Sequence, residues 1–207
     1  MRILAISDKV TDFLYSPVIK KKMGDISFVI SCGDLPSCYL EFIVTMLNKP
    51  LFYVFGNHHK EKICKQNGIK KNIPQGCINL DNKIINYKGL LIGGLEGSMR
   101  YSRGKHQYSD FEMCLKINKL KPAMYINKLF KKRYIDILVT HAPPLGINDR
   151  KDLCHRGFKC FVSFIKRYKP RYLIHGHVHL YGIGSNRETI VNSTKVINAY
   201  GYQIIEI

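Results

Sequence analysis

The apolar residues of the chain fall into short, nearly continuous runs that end at polar residues or glycines. Runs of this length are typical of strands that are buried on both faces of a sheet. Beyond residue 181 the chain becomes richer in strand-forming residues, which predicts further short strands. The main predicted strands are 2–7, 26–31, 51–55, 90–95, 135–140 and 172–175.

Helical patterns lie between several of these runs. Pro36 precedes a predicted helix over Ser37–Leu47, at a position near the helix start that proline favours. Ser109 and Glu112 have the spacing of a capping box, so a second helix is predicted from there to about residue 120. A third is predicted over 158–168, where apolar residues recur at helical spacing.

Alternating strands and helices predict an α/β fold built in layers. The chain has 207 residues, of which 45% are hydrophobic, so it can bury a sizeable core and is unlike a disordered basic tail. It contains no linker, repeat or low-complexity block. We therefore expect one domain over residues 1–207.

The net charge of +18 admits two interpretations. A basic surface attracts phosphate-bearing partners, including nucleic acid. However, Lys outnumbers Arg by 24 to 9, and the basic runs are scattered and not interleaved with aromatic residues. Because Arg is the better reader of phosphates and bases, a solvated basic surface is favoured over a dedicated nucleic-acid site.

The apolar runs are too short to cross a bilayer, which takes about 20 residues. The first run reaches Asp8 too soon for a signal peptide. The seven cysteines include no Cys-x-x-Cys pair, so neither a zinc ribbon nor a thioredoxin motif is indicated. These features predict a cytoplasmic protein with reduced thiols and no membrane partner.

Polar residues with metal-binding side chains follow five of the predicted strands. Ligands of α/β sheets bind beyond the carboxyl ends of the strands, so these residues are expected to share one rim. Their carboxylates and imidazoles suit divalent first-row metals, and a carboxylate can bridge two ions. The segments are Asp8, Gly33-Asp34, Gly56-Asn57-His58, His141 and Gly176-His177-Val178-His179.

Each of these residues also has a structural interpretation when it is taken alone. Asp8 and Asp34 are of the type that occupies turns and helix caps. His141, before Ala-Pro-Pro, fits a hydrogen-bonded histidine of the core. His177 and His179 fit alternate positions of a strand. The order of all the segments together favours the metal site.

The Gly-Asp, Gly-Asn-His, lone His and Gly-His-x-His segments, in this order, resemble the motifs of the calcineurin-like metallophosphoesterase family. The chain, with its Thr140-His141-Ala142-Pro143-Pro144 segment and no extra domain, is similar to the small bacterial members of the family. The resemblance implies a metallophosphatase-type β-sandwich flanked by helices, with the metal site at the carboxyl ends of the strands. It also implies a hydrolase of phosphate mono- or diesters that uses two divalent ions, Mn²⁺ foremost, with Fe, Zn or Ni as alternatives.

The resemblance assigns a role to seven residues. One carboxylate bridges the two ions. Two further residues bind the first ion, three bind the second, and a histidine protonates the leaving-group oxygen. Metal-bound hydroxide attacks phosphorus. Carried over by position, these residues are Asp34 as the bridge, Asp8 and His179 at the first ion, Asn57, His141 and His177 at the second, and His58 as the catalytic residue.

Two positions depart from the family pattern. Val10 stands where the Asp-x-His motif has its histidine, which removes one ligand of the first ion. His59 stands where an acidic residue usually follows Gly-Asn-His. These departures motivate an alternative function, a catalytically silent scaffold or protein-binding module on the same fold.

Two further segments contain candidate substrate contacts. Arg100 and Arg103 lie in a Gly-rich basic stretch after a predicted strand, where they could bind phosphate oxygens. His155 and Arg156 precede a predicted helix, whose first N–H groups favour anions. The expected partner is a phosphate ester, with nucleotides among the candidates. A solvated connection is the alternative for the first segment.

Overall fold

Two β-sheets pack face to face, and helices cover the outer face of each. The computed structural model describes residues 1–58, 64–66, 69–71, 73–181 and 187–207, of which 64–66 and 69–71 are described as backbone only. The order of layers is therefore helix, sheet, sheet, helix. The α/β class and the layered sheets flanked by helices are as the sequence predicts.

The described part of the chain contains four helices and fifteen short strands. The helices are α1 (Val18–Met23), α2 (Ser37–Leu47), α3 (Asp110–Lys131) and α4 (Lys159–Tyr168). The strands are β1 (Arg2–Ser7), β2 (Phe28–Ser31), β3 (Leu51–Tyr53), β4 (Cys64–Gln66), β5 (Ile69–Lys71), β6 (Ile78–Asn79), β7 (Ile84–Tyr87), β8 (Leu90–Leu95), β9 (Ser98–Met99), β10 (Gln107–Tyr108), β11 (Ile137–Thr140), β12 (Tyr172–His175), β13 (Glu188–Val191), β14 (Thr194–Asn198) and β15 (Gly201–Glu206).

Each large sheet has a parallel centre. The first has the order β15-β1-β2-β3-β6, in which β15 is antiparallel to β1 and the other pairs are parallel. The second has the order β13-β14-β12-β11-β8-β7, with antiparallel pairs at its two ends. The parallel strands of each sheet therefore deliver their carboxyl ends to one edge.

Alternate residues of the central strands face different layers. In β1, Ile3 and Ala5 join the apolar layer between the sheets, whereas Leu4 and Ile6 pack beneath α1 and α2. In the second sheet, Leu138 of β11 packs beneath α3 and α4. Because both faces are covered, these strands read as unbroken apolar runs in the sequence.

The helix that begins after Ser109 is longer than predicted. The capping box is present, but α3 continues to Lys131, well past the expected end near residue 120. Pro122 inside the helix removes one backbone hydrogen bond. The fully buried Met124, two residues further on, packs into the core beneath the second sheet and holds the later turns in place.

Three strands begin or end slightly inside the predicted runs. The runs 26–31, 51–55 and 135–140 correspond to Phe28–Ser31, Leu51–Tyr53 and Ile137–Thr140. Helix α4 begins at Lys159, since Phe158 is its N-cap. The differences are confined to the ends of the elements, where an apolar residue in a turn resembles one in a strand.

The cysteines differ in state. Cys38 is disulfide-bonded, so the prediction of reduced thiols is wrong for that residue. The described free thiols are those of Cys32, Cys77, Cys114, Cys154 and Cys160. No helix in the part of the chain that the structure describes combines the length and the apolar character of a bilayer-spanning segment.

The packing of α4 against the second sheet generates a stability prediction. Phe161 is fully buried in the α3–α4 core, whereas Phe130 of α3 is 76% exposed. We expect Phe161→Ala to lower the free energy of unfolding by about 3–5 kcal/mol, because it removes buried apolar surface and leaves a cavity. Phe130→Ala, the matched control, should change it by about 0.5 kcal/mol or less. Urea denaturation measures both, and equal effects would contradict this packing.

Candidate metal centre

The residues that follow the central strands of both sheets meet at one place. Asp8 follows β1, Asp34 follows β2 and Asn57 follows β3, all in the first sheet. His141 follows β11 of the second sheet. The ligand atoms of Asp8, Asp34 and His141 lie within 4.8 Å of one another. His177, after β12, brings its ring to 4.8 Å from that of His141.

Three of these residues have a left-handed backbone. The φ angles are +63° at Asp8, +55° at Asp34 and +66° at His177. This conformation is uncommon for residues other than glycine and costs roughly 1–3 kcal/mol where the surroundings impose it. The sharp turn after each strand aims the side chain back at the rim. Such conformations cluster at functional sites.

Glycines next to these residues have no room for a side chain. A Cβ at Gly56 would collide with the Asp34 carboxylate and would lie 2.7 Å from His141 Cε1. A Cβ at Gly176 would lie 2.5 Å from Asp8 Oδ2. The glycines therefore let the loops of the two sheets approach closely enough for the carboxylates and imidazoles to meet.

His141 lies at the centre of the cluster and contacts residues of the loops after β2 and β3. Its Nδ1 lies 2.7 Å from the carbonyl oxygen of Cys32, which leaves Nε2 to face the other side chains. Nε2 lies 2.9 Å from Asn57 Oδ1 and 3.3 Å from Asp34 Oδ2. The second oxygen of Asp34 accepts a hydrogen bond of 2.9 Å from the backbone N–H of His58.

The other two histidines also have one ring nitrogen engaged. His177 Nε2 lies 2.7 Å from the carbonyl oxygen of Cys154, and His179 Nδ1 lies 2.8 Å from the hydroxyl of Tyr181. His179 Nε2 faces Asp8 Oδ1 at 3.9 Å. Histidines that bind metals are commonly anchored in this way through their second nitrogen, so the donor set fits divalent ions.

The two carboxylates differ in their electrostatic surroundings. Burial raises the pKa of Asp8, and the nearby negative charge of Asp34 adds to this effect. Burial also acts to raise the pKa of Asp34, but the ion pair with His141 outweighs it and lowers that pKa to about 2. Burial opposes the charged form of His141, yet Asp34 raises its pKa to about 9. These pKa shifts favour a charged pair of Asp34 carboxylate and His141 imidazolium, whose positive charge balances buried negative charge, as a cation could.

Burial keeps the next two histidines neutral. It lowers the pKa of His175 to about 4 and that of His177 to about 3. His175 is fully buried, with Nδ1 at 2.9 Å from the carbonyl oxygen of Gly176 and Nε2 at 3.4 Å from Asn148. These contacts give His175 a structural role within the core.

Tyr101 is a site residue that the sequence reasoning did not single out. Its hydroxyl accepts a hydrogen bond of 2.9 Å from Asn57 Nδ2 and lies 3.4 Å from His58 Nε2. The Gly-rich stretch around it was the only available signal, because the contact depends on how the loop after β9 folds back. His59 lies outside the described residues.

The loop around Tyr101 is anchored from below by buried charges. Glu96 accepts a hydrogen bond of 2.7 Å from Tyr108 and lies 2.9 Å from His106 Nδ1. Lys116 of α3, which is nearly buried, lies 2.8 Å from Asp81 and 3.6 Å from Glu96. Because the charges are paired, this network can hold the loop rigidly beside the rim.

The predicted basic contacts lie in different settings. Arg100 donates hydrogen bonds of 2.8 Å to both carboxylate oxygens of Glu112. Its guanidinium is therefore engaged by the capping box at the start of α3. Exposed Arg103 instead lines a cavity of about 210 Å³ together with Asn57, His58 and Tyr101. Of the two arginines, the structure therefore brings only Arg103 to a cavity beside the rim.

The second basic segment lies beside His177 and His179. The ring of His155 is 5.2 Å from that of His177 and 6.4 Å from that of His179. His155 Nδ1 lies 2.8 Å from Asp152 Oδ1, which orients the ring. Arg156 is exposed. His155 thus borders the cluster.

Two further residues, Arg150 and Val10, bear on the candidate site. The guanidinium of Arg150 donates a hydrogen bond to the carbonyl oxygen of His179, another contact that the sequence did not reveal. Val10 packs against the core beneath α1 and α2. The position that has a histidine in the family pattern is therefore occupied here by an apolar side chain.

A comparison with protein families gives a match over most of the chain. The sequence model of the calcineurin-like phosphoesterase family matches residues 1–181. The chain belongs to this family. Its fold is thereby the metallophosphatase type, whose members usually bind divalent metals. No curated protein is similar enough to the chain to count as a relative.

Solved structures show the same fold at low sequence identity. One crystal structure superposes with a TM-score of 0.65 and 14% identity, over 99% of this chain and 94% of the other. The protein TT1561 of Thermus thermophilus superposes with a TM-score of 0.57 and 16% identity, over 97% and 89%. A novel archaeal phosphodiesterase gives 0.45 and 16%, over 100% and 93%. The first two likenesses support the fold assignment.

The tight contacts at Gly56 generate a prediction about metal binding. We expect Gly56→Ala to weaken the binding of Mn²⁺ by at least about tenfold, because the new methyl group must displace Asp34 or His141. Calorimetric titration of the metal-free protein measures the affinity. In the control Gly146→Ala, a Cβ meets nothing within 4 Å, although φ is +75°. That variant should bear only backbone strain, and equal metal affinity in the two variants would contradict the prediction.

Proposed function

We propose that the protein is a cytoplasmic, metal-dependent hydrolase of phosphate esters, formed by one domain over residues 1–207. The observation that carries the proposal is the arrangement around His141. Two buried carboxylates, an amide oxygen and imidazoles with one nitrogen anchored face each other across the sheet edges. Several oxygen and nitrogen donors this close are typical of a centre for divalent first-row metals.

The distances support a division of the ligands between two ions. Asn57 Oδ1 and Asp34 Oδ2 face His141 Nε2, which supports one ion among these residues together with His177. Asp8 Oδ1 faces His179 Nε2, which supports the other ion. Asp34 would bridge the ions, Mn²⁺ in the first place, with Fe, Zn or Ni as alternatives. Val10 leaves the ion at Asp8 with fewer protein ligands.

The chain supplies groups for binding and proton transfer. When bound, the two ions would neutralise phosphoryl charge and acidify water for attack on phosphorus. His58 would protonate the leaving-group oxygen, and the hydroxyl of Tyr101 at 3.4 Å would orient its ring. Arg103, beside Asn57 and His58, and His155, beside His177, would contact the oxygens of the phosphate group.

The surroundings of the site bear on the substrate class. The cavity beside Asn57 and His58 is only about 210 Å³ and includes Arg103 and Lys105. This size and charge favour a small phosphate mono- or diester, with nucleotides among the candidates. The basic surface would attract such anions, and a nucleic-acid substrate is less favoured because the basic residues are mostly lysines in scattered runs.

The first experiment measures hydrolysis. The purified protein loaded with Mn²⁺ should cleave model phosphate mono- or diesters, and removal of the metal should abolish the activity. Asp34→Asn keeps the shape of the side chain but removes the bridging charge, so we expect at least about a 100-fold loss of kcat. Asp25→Asn, at an exposed ion pair with Arg2, is the control and should retain activity. If the metal-loaded protein hydrolysed neither phosphate monoesters nor phosphate diesters, the proposal would be wrong.

A second prediction concerns Tyr101. Removing its hydroxyl in Tyr101→Phe should lower kcat by roughly tenfold, about the effect of one lost hydrogen bond to a positioned group. KM should change little, and the alkaline limb of the pH profile, which reports a general acid, should shift. Tyr125→Phe removes a hydroxyl that accepts a hydrogen bond of 2.9 Å from Arg167 on the surface and serves as the control. An unchanged kcat and pH profile in Tyr101→Phe would rule out the orienting role.

A protein-binding role is the second candidate, and one surface of α3 favours it. The helix exposes apolar side chains in two groups, one in its first two turns and one in its last two turns. Exposed groups of this kind mark interaction surfaces more often than isolated apolar residues do. The residues are Phe111, Leu115, Tyr125, Ile126, Leu129 and Phe130. If this role replaced catalysis, Asp34→Asn would leave the biological function unchanged.

A further inference from the structure

A second cluster of metal-binding side chains lies between α3 and α4. Asp110 opens α3, Cys114 lies one turn later on the same helix, and Cys160 lies in the first turn of α4. One ligand atom from each residue, the two thiol sulfurs and a carboxylate oxygen, lies within 4.8 Å of the others. The cluster shares no residue with the rim site.

The donor set and the spacing suit zinc. Zn²⁺ binds thiolate sulfur at about 2.3 Å and carboxylate oxygen at about 2.0–2.2 Å in a tetrahedron. Ligand atoms of such a tetrahedron are therefore roughly 3.5–4 Å apart, which the cluster approaches without a change of fold. The hard ions favoured at the rim prefer oxygen and nitrogen donors, so the two places differ in the metal they select.

The orientation of Asp110 supports the same arrangement. Its Oδ1 accepts a hydrogen bond of 3.1 Å from the backbone N–H of Cys160. Helix α4 has no capping hydrogen bond from its own N-cap residue, Phe158, so Asp110 takes that place from the neighbouring helix. A carboxylate has lone pairs beyond those used by one hydrogen bond, and these remain for a cation.

The electrostatics of the cluster favour a cation once thiolates form. Burial raises the pKa of the Cys160 thiol, and the negative charge of Asp110 raises it further. These shifts keep the thiol protonated in the metal-free protein, so the binding of a divalent ion would release its proton.

A groove of about 360 Å³ opens beside the three ligands. Its walls include Lys121, Lys159 and Arg167. A zinc ion held by one carboxylate and two thiolates has a net charge of about −1, which these basic groups would balance. Three protein ligands leave the fourth tetrahedral position directed at solvent or at a small anion.

We propose that Asp110, Cys114 and Cys160 bind one zinc ion that joins the beginnings of α3 and α4, with its fourth position open to the adjoining groove. This site is separate from the rim site and does not rest on the proposed hydrolase activity.

Cobalt provides a test that reports on sulfur alone. Co²⁺ bound by thiolates has a sulfur-to-metal charge-transfer absorption band, which oxygen and nitrogen ligands at the rim cannot give. Titration of the reduced, metal-free protein with Co²⁺ should produce this band, saturating at one ion per chain, and added Zn²⁺ should remove it. Absence of the band would overturn the proposal.

Variants assign the band to the cluster. Cys114→Ser and Cys160→Ser should each lose most of its intensity, whereas Cys154→Ser, at an exposed free cysteine, should retain it. Asp110→Asn should keep both thiolates but weaken Zn²⁺ binding by at least about tenfold. Asp34→Asn, which alters only the rim, should leave the band unchanged.

Two other results would contradict the site. A band that persists in both Cys114→Ser and Cys160→Ser would place the cobalt at other cysteines. Oxidation that removes two more thiols from the wild-type protein than from Cys114→Ser, counted with a thiol reagent and not prevented by Zn²⁺, would show that Cys114 and Cys160 form a disulfide in preference to binding metal, since the disulfide of Cys38 re-forms in both proteins. Circular dichroism of each variant establishes that the fold is intact.

Discussion

The buried pair of Asp34 and His141 joins the two sheets, and the rest of the site depends on it. Asp34 belongs to the first sheet and His141 to the second, and their side chains meet at 3.3 Å in a place almost closed to solvent. A buried pair of this kind is tolerated only where the remaining hydrogen-bonding capacity is used. The carbonyl of Cys32 and the N–H of His58 satisfy that requirement, so the pair fixes three segments of chain relative to one another: the turn after β2, the loop at His58 and the end of β11.

The fold and the rim were accessible from the sequence for a physical reason. Strands covered on both faces leave unbroken apolar runs, and parallel strands bring the residues after them to a common edge, so the positions of Asp8, Asp34 and His141 followed from order alone. The contacts of Tyr101 and Arg150 did not follow, since they depend on how loops fold back over the rim. The end of α3 was missed because Pro122 resembles a stop signal, whereas the burial of Met124 is visible only in three dimensions.

The basic residues behind the large positive charge are of two kinds, which contribute differently to the structure. Most of the basic residues are solvated and paired weakly or not at all within the described ranges, where they add little to stability. Lys116 is different, because it is nearly buried between Asp81 and Glu96 beneath the loop that contains Tyr101. The one buried ammonium group of Lys116 therefore does more to shape the surroundings of the rim than the net positive charge of the chain does. The net charge acts only through a long-range electrostatic field.

The glycines at the rim have a consequence for which ions the centre would accept. The width of the centre is set where the backbone of Gly56 contacts the side chain of Asp34 and the backbone of Gly176 contacts that of Asp8. The left-handed turns at Asp8 and Asp34 fix the direction of both carboxylates. A larger ion such as Ca²⁺, with oxygen distances of about 2.3–2.6 Å and more ligands, would require the two sheets to separate. Selection by ionic radius would then be a property of the main chain, which no exchange of one ligand side chain for another could readily alter.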